Sequence, residues 1–299
     1  MAYKDQHILL GLLGQSLGHS LSPIIHQAFF DEMGLSGHYS RVEVADAADV
    51  ADKLIELADE GYSGLNVTIP YKLTVLPNLA GLDETAELAG AVNTIKFAPE
   101  PLGFNTDVSG LAEALSKLDL AIPSCALILG SGGAARAAVI ALSSLGFEQL
   151  VICSRSNDKA KAMLDQLLLT AQRASLVRNC RGAQLAEFNE SPVFAQAGGS
   201  FASPVSLVIN ATPIGQKDDH LPPELVELLT VVKRNSQSPT FVDLVYSKSL
   251  TPMCRLAQEL GFARVEDGKE MLINQARLAF KIWTGHLPDG QLARQRLAI

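Results

Sequence analysis

Along the first hundred residues, short apolar runs alternate with stretches in which apolar positions recur every three or four residues. Ile8–Leu13, Tyr39–Val44, Gly64–Ile69 and Val92–Phe97 have the length and composition of strands, and Pro23–Met33 and Val50–Glu60 have helical period. Such alternation predicts βαβ units and a mostly parallel sheet. Pro99-Glu-Pro-Leu-Gly103 is turn chemistry. A helix from about Asp107 to Leu118 follows it, and a second alternating series begins with the strand Cys125–Leu129. That series continues through Leu150–Cys153, Leu207–Asn210 and Phe241–Val245, and Asp267 to Thr284 reads as a long amphipathic helix. The pattern places a domain boundary near residue 107.

Composition narrows the class of protein. The chain has 299 residues, 47% of them hydrophobic and 19% charged, which suits a globular α/β protein of about two domains at roughly 150 residues each. The net charge is −8 and no block of Lys or Arg occurs. The expectation is therefore no nucleic-acid partner and no membrane partner. Cys125, Cys153, Cys180 and Cys254 are far apart, with no C-x-x-C pair, and read as reduced, buried thiols. Ile8 to Leu13 is too short for a secretory or membrane-spanning segment, so a cytoplasmic location is expected. No H-x-x-x-H pair is present, and His19 and His26 lack nearby acidic partners, so no metal is expected.

The most specific motif is Gly130-Ser-Gly132-Gly-Ala-Ala135, a G-x-G-x-x-A pattern placed between the buried strand Cys125–Leu129 and the helical run Ala134–Leu145. Gly130 permits a tight turn, and Gly132 lets the backbone approach a pyrophosphate. Ala135 lets helix and strand pack closely, and the helix N-terminus offers unpaired N–H donors. An acidic residue at the end of the next strand would select NAD through the ribose 2′-hydroxyl, but here Ser154-Arg155-Ser156 stands instead, with Lys159 nearby. A guanidinium pairs with a 2′-phosphate, so NADP is the expected cofactor. Asp158 is expected inside the next helix, where an acidic first turn is ordinary.

Polar residues gather in the first domain. In Gly64-Leu-Asn66-Val-Thr68-Ile-Pro70-Tyr-Lys72, Asn66 and Thr68 share one face of a strand while Leu65, Val67 and Ile69 face the core. Pro70 ends the strand and can start a helix, bringing Lys72 to the strand's carboxyl edge, where α/β proteins bind ligands. Asn93-Thr94, Asn105-Thr-Asp107 and Ser20-Leu-Ser22-Pro23, each taken alone, read as turn or cap residues before they read as a site, with Ser22 a good N-cap before Pro23.

Taken together, these segments resemble the shikimate dehydrogenases. The similarity runs through Ser20-Leu-Ser22, Asn66-Val-Thr68-Ile-Pro-Tyr-Lys72, Gly90-Ala-Val-Asn93-Thr, Asn105-Thr-Asp107, Gly130 to Ala134, Asn210-Ala-Thr212-Pro-Ile-Gly215, Asp243-Leu-Val-Tyr246 and Gly268 to Gln275. The resemblance implies an NADP-dependent oxidoreductase that interconverts 3-dehydroshikimate and shikimate on the route to chorismate and the aromatic amino acids. It implies an N-terminal α/β substrate domain completed by C-terminal helices (1–106 and 267–299), a Rossmann-type NADP domain (107–266), and a cleft between them. Ser20, Ser22, Asn66, Thr68, Asn93, Tyr246 and Gln275 would hold the substrate, with Lys72 and Asp107 as the catalytic pair. Gly130, Ser131, Gly132, Gly133, Ala134, Ser154, Arg155, Ser156, Lys159, Thr212, Leu244 and Gly268 would hold NADP, and the chain would act as a monomer or homodimer. Two alternatives stay open: a quinate or dual quinate/shikimate dehydrogenase, and a non-catalytic NADP-binding regulator on the same scaffold. Alcohol oxidation needs a group to take the hydroxyl proton as hydride leaves. On this reading Lys72 passes that proton while Asp107 orients both partners.

Overall fold

The computed structural model describes residues 7–120, 125–169, 180–184, 204–216, 219–247 and 249–299, with the backbone alone for residue 157 and residues 180–184. The chain divides into two compact units, Met1–Leu111 with Met271–Ile299, and Ala112–Glu270.

In the first unit, β1 (Ile8–Gly14), α1 (Ser22–Met33), β2 (Gly37–Glu43), α2 (Val50–Asp59) and β3 (Tyr62–Val67) come in the alternating order expected from the sequence. The short elements β4 (Gly81–Leu82), α3 (Glu84–Ala89), β5 (Thr94–Lys96) and β6 (Leu102–Phe104) follow, before α4 (Thr106–Ser116). The sheet order is β2-β1-β3-β5-β6-β4. β1 pairs parallel with β2 and β3, whereas β5 is antiparallel to both β3 and β6. β4 pairs parallel with β6, so the sheet is mixed, with three parallel pairings and two antiparallel ones around β5. A parallel pair needs a crossover of a dozen or more residues, and the connection 97–101 between β5 and β6 is too short for one. The turn chemistry of Pro99–Gly103 therefore closes a hairpin-like pair, with Leu102 and Gly103 already part of β6.

Alternation along β1 sends Ile8, Leu10 and Leu12 into one core layer with Phe29, Phe30, Phe280 and Trp283, while Leu13 joins Leu54, Leu65, Val67 and Tyr71 in the other. Both faces of the sheet are covered, as suits its central parallel strands. Ile69 departs from expectation: it is 58% exposed, because β3 ends at Val67 and the strand alternation stops there. Pro70 likewise starts no helix. Tyr71 N–H bonds back to the Thr68 carbonyl, and a run of turns carries the chain past Lys72. Tyr71 turns inward, donating its hydroxyl to the Val44 carbonyl at 2.6 Å.

In the second unit, β7 (Cys125–Leu129), α5 (Gly133–Ser144), β8 (Gln149–Ser154), α6 (Asn157–Leu167), β9 (Cys180–Gln184), β10 (Val205–Asn210), α7 (Pro223–Asn235), β11 (Thr240–Asp243), α8 (Pro252–Glu259) and β12 (Arg264–Glu266) build a six-stranded sheet. Every pairing in it is parallel, in the order β12-β11-β10-β7-β8-β9. Numbered within the unit this is the 3-2-1-4-5-6 order of the dinucleotide-binding doubly wound fold, read from the other edge. Cys125, Cys153 and Cys254 are free and buried, and burial pushes each thiol up to about 12. The Cys180 side chain lies outside the described residues. Finally α9 (Lys269–Thr284) and a last short helix (Gln291–Leu297) return the chain to the first unit, where Trp283 Nε1 donates to the Ile95 carbonyl at 2.8 Å.

Candidate active site

The polar residues of the first unit form one buried network at the edge of the sheet where the carboxyl end of β3 meets the amino end of β5. Asn66, last but one in β3, accepts from the Tyr39 hydroxyl at 2.8 Å and donates to the Asn93 carbonyl at 3.2 Å and to Thr94 Oγ1 at 3.0 Å. Asn93, just before β5, is the hub. Its Nδ2 donates to Thr106 Oγ1 (2.9 Å), Asp107 Oδ1 (2.8 Å) and Gln275 Oε1 (3.3 Å), and its Oδ1 accepts the Thr106 N–H at 2.8 Å. Asn105 caps α4 by accepting from Val108 N–H at 3.4 Å, which sets Thr106 and Asp107 in the first turn. Gln275 reaches the hub because Gly110 lets α4 and α9 touch: a Cβ at Gly110 would stand 2.7 Å from the Gln275 nitrogen.

Lys72 completes the network. Its Nζ lies 2.5 Å from Asp107 Oδ2, with the lysine side chain 15% and the aspartate 8% exposed. Asp107 is held from both sides, by Asn93 on one oxygen and Lys72 on the other, so the ammonium is aimed by a carboxylate that cannot turn. An almost buried ion pair of this kind needs further hydrogen bonds to offset its desolvation, and Asn93 supplies one.

Ser20 and Ser22 stand on the β1–α1 connection. Ser22 is the first residue of α1 and Leu21 occupies the cap position, so Ser22 is not the N-cap expected from its place before Pro23. The helix begins one residue earlier than the proline indicates, and Ser22 N–H instead meets Ser20 Oγ at 3.3 Å. Arg41 Nη2 donates to the Ser20 carbonyl at 3.0 Å and Glu43 accepts from Leu17 N–H at 2.7 Å, tying this loop to β2. Thr68 anchors its backbone on Leu13, with N–H to carbonyl at 2.9 Å. Beneath the network His26 is fully buried and stacked on Tyr39 with ring centroids 4.1 Å apart. Burial lowers its pKa from 6.5 to about 3, against a smaller opposing contribution from the Asn66 side chain.

Thr94, Thr106 and Tyr39 belong to this network, although the sequence alone gives them no role. Thr94 and Thr106 sit beside Asn93 and Asp107 in the very dipeptides that drew attention. Nothing in the one-dimensional pattern marks Tyr39, which ends up near Asn66 only through the pairing of β1 with both β2 and β3.

The second unit holds the glycine-rich turn. Gly130 has φ +117° and packs where a Cβ would come 2.9 Å from the Ala211 carbonyl oxygen. Gly132 caps α5 with no side-chain hydrogen bond, and a Cβ there would meet nothing within 4 Å. Gly132 is exposed, Ser131, Gly133 and Ala134 are half-buried, and no side chain caps the first N–H groups of α5, an arrangement that fits a pyrophosphate. Thr212 lies against Gly130, its methyl 3.3 Å from where a Cβ would stand, and the Leu244 carbonyl backs onto Gly268. At the end of β8, Arg155 and Lys159 are exposed. The two serines are engaged locally: Ser154 Oγ donates to the Ser156 carbonyl at 2.6 Å, and Ser156 caps α6 through Lys159 N–H at 3.4 Å. Asp158 lies in the first turn of α6. Tyr246 belongs to this second unit, unlike the other residues expected to hold substrate. Among the described residues no group of three His, Cys, Asp or Glu could hold a metal ion, and no helix is long and apolar enough to cross a membrane.

A parallel sheet in dinucleotide-binding order and a separate polar site built around a Lys–Asp pair define a class, that of two-unit α/β oxidoreductases. Residues 12–95 match the profile of the shikimate dehydrogenase substrate binding domain, and residues 268–297 match that of the shikimate 5'-dehydrogenase C-terminal domain. The chain belongs to the shikimate dehydrogenase family. A shikimate dehydrogenase (NADP(+)) of Synechococcus sp. (strain JA-3-3Ab) is 37% identical across 97% of this chain and 94% of its own. The crystal structure of shikimate 5-dehydrogenase from Thermus thermophilus in complex with NADP(H) and shikimate shares 30% identity at a TM-score of 0.78, covering 97% of this chain and 98% of that one. A quinate dehydrogenase from Corynebacterium glutamicum in complex with NAD is 29% identical at a TM-score of 0.80, covering 98% and 99%.

Proposed function

We propose that this protein catalyses the NADP-dependent, reversible reduction of 3-dehydroshikimate to shikimate. The observation that carries this reading is the Lys72–Asp107 pair at 2.5 Å, pinned by Asn93 inside a buried polar network. Ser20 and Ser22 bind the substrate carboxylate, and Asn66, Thr68, Asn93, Gln275 and Tyr246 bind its hydroxyls. Gly130, Ser131, Gly132, Gly133 and Ala134 cradle the pyrophosphate of NADP. Arg155 and Lys159 would hold the 2′-phosphate, with Ser154 and Ser156 shaping the turn that presents Arg155, and Thr212, Leu244 and Gly268 would complete the set that holds the cofactor. Residues 1–106 with 267–299 act as the substrate domain and 107–266 as the cofactor domain.

A bound NADP would supply the hydride acceptor for the substrate's secondary alcohol and, in its reduced form, the hydride donor for the ketone. In the reducing direction the Lys72 ammonium hydrogen-bonds the carbonyl oxygen and delivers a proton as the oxygen becomes an alcohol. Asp107 accepts a second N–H from the same nitrogen and holds it in line. In the oxidising direction the same atoms work in reverse, the alcohol O–H giving its proton to Lys72 Nζ. Spectrophotometric reduction of NADP+ or NAD+ with shikimate or quinate tests the assignment. Shikimate with NADP+ is expected to give the highest kcat/KM. Quinate with NAD+ as the better pair would move the protein to the activity named for the Corynebacterium structure, and tight NADPH binding with no turnover would make it a regulator.

A further inference from the structure

Asp243 ends β11 in the second unit and is completely buried. Its Oδ1 accepts Asn210 Nδ2 at 2.8 Å and Val245 N–H at 3.0 Å, and its Oδ2 accepts the Thr251 hydroxyl at 2.6 Å. All three partners are neutral donors. The network runs on from each of them. Asn210, which ends β10 and pairs with Asp243 in register, accepts Thr212 N–H at 3.1 Å and Thr212 Oγ1 at 2.6 Å, and its carbonyl accepts Leu244 N–H at 2.9 Å. Thr251 caps α8 through Cys254 N–H at 3.1 Å. The Val245 carbonyl accepts Gly268 N–H at 3.2 Å, one residue before α9.

A buried carboxylate satisfied only by neutral donors is a costly way to stabilise a fold, since desolvation weighs against the charged form and an amide of the same shape would avoid that cost. What the charge adds is stiffness, because hydrogen bonds to an ion are shorter and about twice as strong as neutral ones. Here they converge from two loops at the carboxyl edge of the sheet, where doubly wound folds bind their ligands. We propose that Asp243 is a positioning residue for the bound dinucleotide: it locks the β10 loop carrying Thr212 to the β11 loop carrying Leu244 and Tyr246. The role rests on the reading of this unit as the NADP-binding unit.

The test measures NADP+ binding by isothermal titration calorimetry, with thermal unfolding and the KM for shikimate followed in parallel. Asp243→Asn keeps the volume and removes the charge. It is expected to raise the Kd for NADP+ about tenfold and to lower kcat. Thr251→Val leaves Asp243 on Asn210 and Val245, and is expected to lower the melting temperature with a rise in Kd of no more than about fivefold and no less than about threefold. A purely structural role would lower the melting temperature of both variants and leave Kd within twofold of the wild type, which overturns the proposal. If Asp243→Asn does not fold, Thr251→Val decides by the same criterion. Wild-type protein that fails to bind NADP+ would overturn the functional reading itself, and this inference with it.

Discussion

Lys72 illustrates how little a single residue type reveals. In the sequence it is one of 24 basic residues, and a lone lysine is ordinarily solvated. In the fold it is 15% exposed and fixed on Asp107, which is itself fixed on Asn93. Replacing Lys72 with Met should lower kcat by about 10²- to 10⁴-fold, the usual worth of a positioned acid or base, while the Kd for NADP+ stays unchanged. Stopped-flow turnover alongside calorimetric NADP+ binding checks both halves, and near-normal turnover at any pH would sink the assignment. His26 carries a second prediction, this one about stability. Its folded pKa of about 3 lies below the unfolded 6.5, so between those values the unfolded chain holds a proton that the folded chain refuses. Stability from this group is therefore complete above pH 6.5 and falls with decreasing pH by up to about 1.4 kcal/mol per unit. Urea unfolding of wild type and His26→Phe at pH 7, 6 and 5 should show the wild type losing more, whereas parallel curves would disprove the linkage.

Between α4 and α9 the contact that brings Gln275 to the site depends on Gly110. Alanine in a helix interior is ordinarily favoured over glycine by roughly 1 kcal/mol. At this position the sign should reverse, because the added methyl would sit 2.7 Å from the Gln275 nitrogen and 2.9 Å from its Cα, backbone atoms that move only with the whole helix. Gly110→Ala is expected to lower the melting temperature and to raise the KM for shikimate; a gain in stability with unchanged KM would show that α4 and α9 separate at no cost. Many of the periodic elements were legible in advance. α1, α2, α5 and the strands β1, β3, β7, β8, β10 and β11 all lie within a few residues of the ranges that apolar periodicity indicates. Missed were the strands β4, β6, β9 and β12, the helices α3, α7, α8 and the final one, and the pairing of β5 with β6. The two- and three-residue strands have no period to read, and neighbouring strands hold them in place more than their own propensity does.

As a whole the chain returns on itself, since α9 and the final helix supply Ile273, Ala276, Phe280, Trp283 and Ala293 to the core of the first unit. A chain ending at Glu270 should therefore lose protection from protease across residues 7–111 while residues 125–169 and 219–247 remain protected and the chain still binds NADP+. Equal protection of both segments would show that the first unit needs no C-terminal helices. The net charge of −8 coexists with a few well-placed cations: Lys72 in the buried network and Arg155 and Lys159 exposed at the start of α6. Binding an anion depends on the local field, which is screened within about 10 Å at ordinary ionic strength, so the overall sign matters little.

Periodicity and motif spacing are local properties, and they sufficed for the order of elements, the glycine-rich turn and the list of polar residues worth attention. Whether a polar residue joins a site, caps a helix or closes a turn is decided by neighbours distant in the chain. Ser22 proved to be a first-turn residue rather than a cap, Ser154 and Ser156 make hydrogen bonds within their own turn, and Asn93 gathers Asp107 and Gln275 from 14 and 182 positions away. Those contacts exist because buried polar groups must find partners wherever the packed backbone brings them. Only the strand register and the close approach of two helices at Gly110 determine which partners are within reach.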